Sequence, residues 1–402
     1  MEISHKQKIV FVFLLIFALP GFTYFLRDGF HGLDSYYFLT KVCREDNHFT
    51  ASPNSPLGNI VFDILPCDEF ILKAILVFLY GLSVLAIYLI GEETWKGSGW
   101  ITLLFTGITP IFLYSSFKLE NDAFGFPIMF FGVYFFLKYL NSKKDKGVIK
   151  SRPNYSYLII SVLLILLATG FWGGALYYIL FFVLMEPLML IIAIPVFILF
   201  AGQLIETIIP KLDIDESTPR GGLTFILLYM VPLVFFKGKP DFRFWYLPLT
   251  IVLFVVGALN PKFFILGIPF FALALTKNFL NATKGEKRFI AGWATILFLF
   301  YSLSVVALSS PTNMETEIAS DLVYLAQEKD LRIANDWELG HLIWYYGGHT
   351  AQHSGGKDPD FANEKNRLIA TQQVLENCEK IEEYQQRKIL FQLRPNYFIY
   401  EC

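Results

Sequence analysis

Long apolar runs separated by short polar ones fill the first three quarters of the chain. A helix crosses a bilayer core of roughly 30 Å in about 20 residues, and several of these runs are that long. The pattern predicts about eleven spans. They fall near residues 9–26, 70–90, 99–117, 123–140, 155–169, 171–185, 187–206, 222–236, 244–259, 263–277 and 289–309. No small-residue cleavage site follows the first run, so it reads as a retained span rather than a signal peptide. Beyond residue 310 the pattern changes to short alternating elements. "EIASDLVYLAQEKD" has helical spacing, "LRIAN" reads as a short strand and "ELGHLIWYY" as a helix. "HTAQHSGG" is a short strand or loop, "FANEKNRLIATQQVLEN" and "EKIEEYQQRKILFQL" read as helices, and "NYFIYE" as a closing strand. The expected architecture is a polytopic α-helical membrane domain over 1–310 and a small α/β extracytoplasmic domain over 311–402. The second is too short for a full core unless it docks on the first.

Composition supports this division. The 402 residues are 54% hydrophobic with a mean hydropathy of +0.48, outside the usual range of soluble domains. The net charge of −2 matters less than where the charges lie. Lys6 and Lys8 precede the first span, and Lys143, Lys144, Lys146, Lys150 and Arg152 follow the fourth. Lys237, Lys239 and Arg243 follow the eighth, and Lys277, Lys284, Lys287 and Arg288 the tenth. All fall on one side, which the positive-inside rule makes cytoplasmic. The expectation is a multi-pass cell-membrane protein with a cytoplasmic N-terminus and an extracytoplasmic C-terminal domain. The sequons at Asn154 and Asn281 then lie inside and stay bare. No basic stripe interleaves with exposed aromatics, which argues against a nucleic-acid partner.

The other side gathers the carboxylates. Asp34 opens "DSYY" in the first outer loop, Glu120 and Asp122 lie in "KLEND", and Glu216 lies in "DIDESTP". Asp336 and Glu338 flank Trp337 in the tail. Hard divalent cations take several carboxylate oxygens, so separate loops that bring acids to one face are a candidate Mn²⁺ or Mg²⁺ site. The plainer alternative is that loops are simply polar. Cys43 and Cys67 share the first outer loop, and Cys378 and Cys402 share the tail. Each pair is either a disulfide of an oxidising exterior or two free thiols.

With these residues in view, the chain resembles the catalytic subunit of N-oligosaccharyltransferases, GT-C membrane glycosyltransferases that move a lipid-linked glycan onto asparagine. "GLDSYY" resembles the family's first-loop acidic motif, and "ENDAFG" its second-loop acidic pair. "GFWGGALYYI" is similar to a Trp-Gly-Gly stretch of the middle spans, and "DIDESTP" to the loop motif ending in Glu. "DWELG" aligns with the signature Trp-Trp-Asp-Tyr-Gly. The motifs occur in the family's order along nearly the whole chain. The resemblance implies a metal held by Asp34, Glu120 and Asp122, with Asp34 and Glu216 acting on the acceptor amide. It also implies that Trp337, Glu338 and Gly340 grip the acceptor, and that Lys262 and Arg220 hold the lipid phosphate. The implied partners are a lipid-linked glycan donor and an acceptor polypeptide. The sequence departs from the pattern at Glu338 and Leu339, where the family has Asp and Tyr, and at Lys262, where it has Arg. Lys keeps the charge and loses the bidentate fork.

Two other readings are compatible with the sequence. One keeps the GT-C fold but uses a lipid-phosphate sugar to modify a glycolipid or polymer. The other is a non-catalytic membrane subunit or transporter, which should place charges in mid-span or show repeated broken helices. The acidic residues lie at span ends instead, as an interfacial active site requires.

Overall fold

In the computed structural model of the protein, the described residues are 5–27, 29–32, 34–43, 55–143, 154–199, 264–303, 313–329, 331–333, 342–343, 345–346, 367–370, 379–384 and 397–401. Among the described residues, four helices are long and apolar enough to cross a membrane: Lys6–Phe25, Glu69–Thr94, Asn121–Lys143 and Phe264–Asn281. The first is α1 (His5–Phe13), continued by a π-helical turn (Leu14–Ala18) into α2 (Leu19–Phe25). Two short helices follow, α3 (Asp34–Cys43) and α4 (Pro56–Ile64). Next come α5 (Glu69–Thr94), α6 (Gly99–Gly107), α7 (Pro110–Ser116) and α8 (Asn121–Lys143). Asp68 caps α5 by accepting from the Ile71 N–H at 2.9 Å.

The run 99–117, expected as one span, is two helices. Thr109 is extended and Pro110 opens α7. Proline has no N–H and disfavours helix in the residue before it. Further along lie α9 (Tyr155–Thr169), α10 (Tyr177–Met185) and α11 (Leu190–Leu199). After them come α12 (Phe264–Asn281) and α13 (Lys284–Leu297), the latter opened by a capping box between Thr283 and Glu286. The expected spans 222–236 and 244–259 lie outside the described residues.

In an apolar medium close packing and a few hydrogen bonds hold helices together. Ser161 of α9 donates to the Gly132 carbonyl of α8 at 2.7 Å. The Thr102 and Thr276 hydroxyls bond α6 to α12 at 3.0 Å. Tyr178 of α10 donates to the Leu266 carbonyl of α12 at 2.8 Å. Asn141 near the end of α8 donates to the Glu93 carbonyl near the end of α5 at 2.7 Å, so α5 and α8 run parallel. Trp172 of the Trp-Gly-Gly stretch packs edge-on against Phe126 at 5.8 Å, a packing role.

Near the C-terminus, α14 (Asn313–Lys329) and β1 (Arg332–Ile333) agree with the pattern, as does β4 (Tyr397–Glu401). Two stretches do not. Arg367–Ala370 (β2) and Glu379–Tyr384 (β3) are strands where helices were expected. The strand order is β1-β2-β4-β3, parallel between β1 and β2 and antiparallel elsewhere. Both corrections have one cause: β4 supplies a ladder to each neighbour, and pairing overrides local helix preference. Buried Ile333, Ile369, Tyr397 and Ile399 line the sheet, and the Tyr397 hydroxyl donates to Asp321 of α14 at 3.2 Å. The expected domain boundary at 310–311 lies outside the described residues.

Candidate functional site

The site is built at the end where α5 and α8 begin. The chain leaves α2, turns through residues 26–32 and enters α3. Its turn is pinned to α5 from two directions. The Gly29 N–H donates to a Glu69 carboxylate oxygen at 3.0 Å, and buried Lys73 donates to the Arg27 carbonyl. Lys73 also pairs with Glu69 at 2.7 Å, one helical turn away. Burial lowers the pKa of the Arg27 guanidinium from its ordinary value.

Asp34 is the first residue of α3, and its side chain lies outside what the structure describes. The next residue ties two loops together. Ser35 is fully buried, donates to the His31 carbonyl and accepts from the Leu119 N–H at 2.9 Å. The start of α3 is thereby bonded to the turn that carries Glu120 and Asp122. His31 is buried, stacked on Tyr24 at 5.4 Å and on Phe117 at 6.0 Å, with Tyr114 edge-on at 6.0 Å.

The turn 117–120 ends α7 and leads into α8. Glu120 and Asp122 are both about 6% exposed. Asp122 is in the first turn of α8, where the helix dipole favours a negative charge. Glu120 pairs with Lys118 at 2.7 Å, and both side chains are buried. The sequence pattern put weight on the acids and passed over Lys118. The signal was a lysine two residues before a glutamate in an otherwise apolar stretch. Gly32 makes room for this lysine. Its φ of +67° suits glycine, and a Cβ there would lie 2.8 Å from Lys118 Cε. Gly58 of α4 does the same for Asn121, whose buried side-chain oxygen has no hydrogen-bond partner among the described residues.

The far end of α3 is tied to α4 and to the start of α5. Cys43 and Cys67 form a disulfide, one of the two expected pairs. Cys378 and Cys402 lie outside the described residues. Lys41 of α3 pairs with Asp63 of α4 at 3.2 Å. Buried Tyr36 of α3 meets Tyr345 edge-on at 5.3 Å. Tyr345 is seven residues beyond Glu338 in sequence, so a residue of the tail touches the helix that Asp34 opens. Burial raises the pKa of the Tyr36 phenol to about 12, against a bond from the Phe30 N–H that lowers it.

Of the residues singled out in the sequence, the structure brings together the start of α3 at Asp34 with Glu120 and Asp122. Glu216, Arg220, Lys262, Trp337, Glu338 and Gly340 lie outside the described residues. Among the described residues, no three His, Cys, Asp or Glu side chains are grouped to hold a metal ion. The donors that are placed, two buried carboxylates with an orphaned amide oxygen between them in sequence, are of the hard oxygen type that suits Mg²⁺ or Mn²⁺.

This geometry can be set beside known proteins. No family model and no curated protein matches the sequence. Among solved structures, the chain is similar to the oligosaccharyltransferase AglB of Archaeoglobus fulgidus in complex with an inhibitory peptide and a dolichol-phosphate. The TM-score is 0.55 at 13% identity, over 91% of this chain and 69% of that one. The Archaeoglobus fulgidus oligosaccharyltransferase complexed with zinc and sulfate gives 0.52 at 13% identity, over 91% and 67%. ArnT from Cupriavidus metallidurans bound to undecaprenyl phosphate gives 0.55 at 9% identity, over 98% and 97%. The fold is GT-C. The sequence resemblance thus has a structural counterpart: the chain is similar, over nearly its whole length, to a divergent oligosaccharyltransferase-like GT-C protein. The GT-C likeness and the apolar helices together make it a multi-pass membrane protein.

Proposed function

We propose that this protein is a GT-C glycosyltransferase that moves a glycan from a polyprenyl (pyro)phosphate carrier to an acceptor asparagine, with inversion at the sugar. The observation that carries this reading is the bond from the Leu119 N–H to Ser35 at 2.9 Å. It joins the two acidic loops of the resemblance at one point, and Tyr345 brings the tail to the same helix. Likeness to a protein bound to dolichol-phosphate and to one bound to undecaprenyl phosphate supports a lipid-linked donor.

In this reading Asp34, Glu120 and Asp122 would hold Mn²⁺ or Mg²⁺, which would supply positive charge to offset the negative charge that develops on the leaving phosphate. Lys262 and Arg220 add charge from the protein itself. The acceptor amide nitrogen is a poor nucleophile because its lone pair is delocalised. Asp34 and Glu216 accept its N–H bonds and turn it out of conjugation. Trp337, Glu338 and Gly340 hold the peptide by the hydroxyl two residues after the asparagine.

The test is transfer to a fluorescent Asn-x-Thr peptide by purified protein with host lipid extract and Mn²⁺, with and without EDTA. A mass increase on the asparagine that EDTA abolishes is expected. No increase, with lipid-linked glycans present in the extract, overturns the peptide acceptor. The likeness to ArnT covers 97% of that chain, against 69% for AglB, and favours a second reading, transfer of a lipid-phosphate sugar to a glycolipid or polymer. A mass increase on a glycolipid of the extract, with none on the peptide, would establish it.

A further inference from the structure

We propose that Lys118 competes with the divalent cation for Glu120 and so sets the metal affinity of the site. The inference rests on the reading of Asp34, Glu120 and Asp122 as the metal ligands. Its own observation is the ion pair between Lys118 and Glu120 at 2.7 Å, with side chains only 6% and 8% exposed.

An exposed lysine exchanges partners with water and weakens a neighbouring metal site little. Lys118 is confined. Its Cε lies against Gly32, its ammonium is 4.9 Å from the centre of the Tyr114 ring, and its carbonyl accepts from the Glu120 N–H at 2.9 Å. The ring face favours the cation there. A dication that takes Glu120 as a ligand must share that carboxylate with an ammonium in near contact, where water screens poorly. Metal binding and the Lys118–Glu120 pair are therefore alternatives for the same carboxylate, and Lys118 acts as a positioning residue. The arrangement keeps one positive charge beside Glu120 whether or not metal is bound.

The experiment measures binding of Mn²⁺ alone to the purified full-length protein, from the resonance signal of free Mn²⁺, with no donor or acceptor added. Lys118→Gln keeps a hydrogen bond to Glu120 and removes the charge. It is expected to bind Mn²⁺ at least tenfold more tightly than the wild type, while Lys118→Arg stays within threefold. Equal or weaker binding by Lys118→Gln, including no binding by either protein, overturns the proposal. If Lys118→Gln does not fold, two variants with Lys118 intact decide. Glu120→Gln should then lower the affinity less than threefold and Asp122→Asn at least tenfold. Equal losses, or no measurable binding by the wild type, overturn it. Because no substrate is present, a protein that transfers nothing to peptide can still pass this test, and an active transferase can fail it.

Discussion

The parallel pair α5 and α8 has charges at both ends, and the two ends differ. At the far end, Lys143 pairs with Glu186 at 2.5 Å, and the Lys143 side chain is 46% exposed. Glu92 accepts from the N–H groups of Gly97 and Gly99 at 2.8 and 2.9 Å, closing the turn into α6. These charges complete helix ends, and on the Lys143 side the pair reaches water although Glu186 itself is buried. At the near end, Lys118 and Glu120 are buried together, Lys73 is buried against a backbone carbonyl, and two loops meet on a serine hydroxyl. A buried ion pair is seldom the most stable solution, because desolvation offsets the attraction. In the proposed function, charges held inside where an apolar pair would serve stability as well belong to the end of the bundle that carries out transfer.

The comparison can be broken most sharply at Asp34. Asp34→Ala is expected to lower transfer by about 10²–10³-fold or more, the scale of losing one charge-stabilising group. The thermal transition of the protein should stay unchanged. Substantial transfer by this variant would remove the near end as the reacting centre.

Next in size is the contrast between the two lysines. Lys118→Met leaves Glu120 buried without its cation and should cost about 3–5 kcal/mol in metal-free buffer. Lys143→Met removes a lysine that half reaches water but leaves the Glu186 carboxylate buried, and should cost less, about 1–3 kcal/mol. Denaturation followed by tryptophan fluorescence would measure both, and equal costs would erase the distinction. Gly32→Ala puts a Cβ at φ +67° and against Lys118 Cε, for about 1–3 kcal/mol. Its effect on Mn²⁺ affinity should match that of moving Lys118.

The smallest effect is a titration. Tyr36 has its phenol raised from 10 to about 12 by burial. The folded state keeps this proton while the unfolded chain loses it, so the contribution is complete below pH 10 and falls away as pH rises through 12. Tyr36→Phe should flatten that alkaline loss of stability, as read from unfolding between pH 9 and 12. An unchanged slope would show Tyr36 open to water and Tyr345 away from it.

How far the sequence foretold all this depends on which physical signal each part carries. Spans such as Glu69–Thr94 and Asn121–Lys143 are long apolar runs, and hydropathy alone finds them. The break at Thr109 was present as Pro110, a local signal outweighed by the apolar run around it. The strand β3 was hidden for a definite reason. Its register shifts between Lys380 and Glu382, so the two-residue alternation of a strand is interrupted, and Ile381 and Tyr384 fall at helical spacing instead. For the site, sidedness put Asp34, Glu120 and Asp122 on one face, and the structure joins their loops. The joint itself, Ser35 to the Leu119 N–H, was not readable, because a backbone donor has no sequence signature. Lys118 was legible as a residue but not as a buried partner, since burial follows from Gly32 and Tyr114 across the fold.

The disulfide between Cys43 and Cys67 joins the end of the helix that Asp34 opens to the residues that begin α5. A bond of this kind forms in an oxidising compartment and not in a reducing one. In the orientation expected from the charge pattern, the first loop crosses the membrane before this link can form. A copy inserted the other way round would keep both thiols reduced, and the end of α3 would lose its tie to the start of α5.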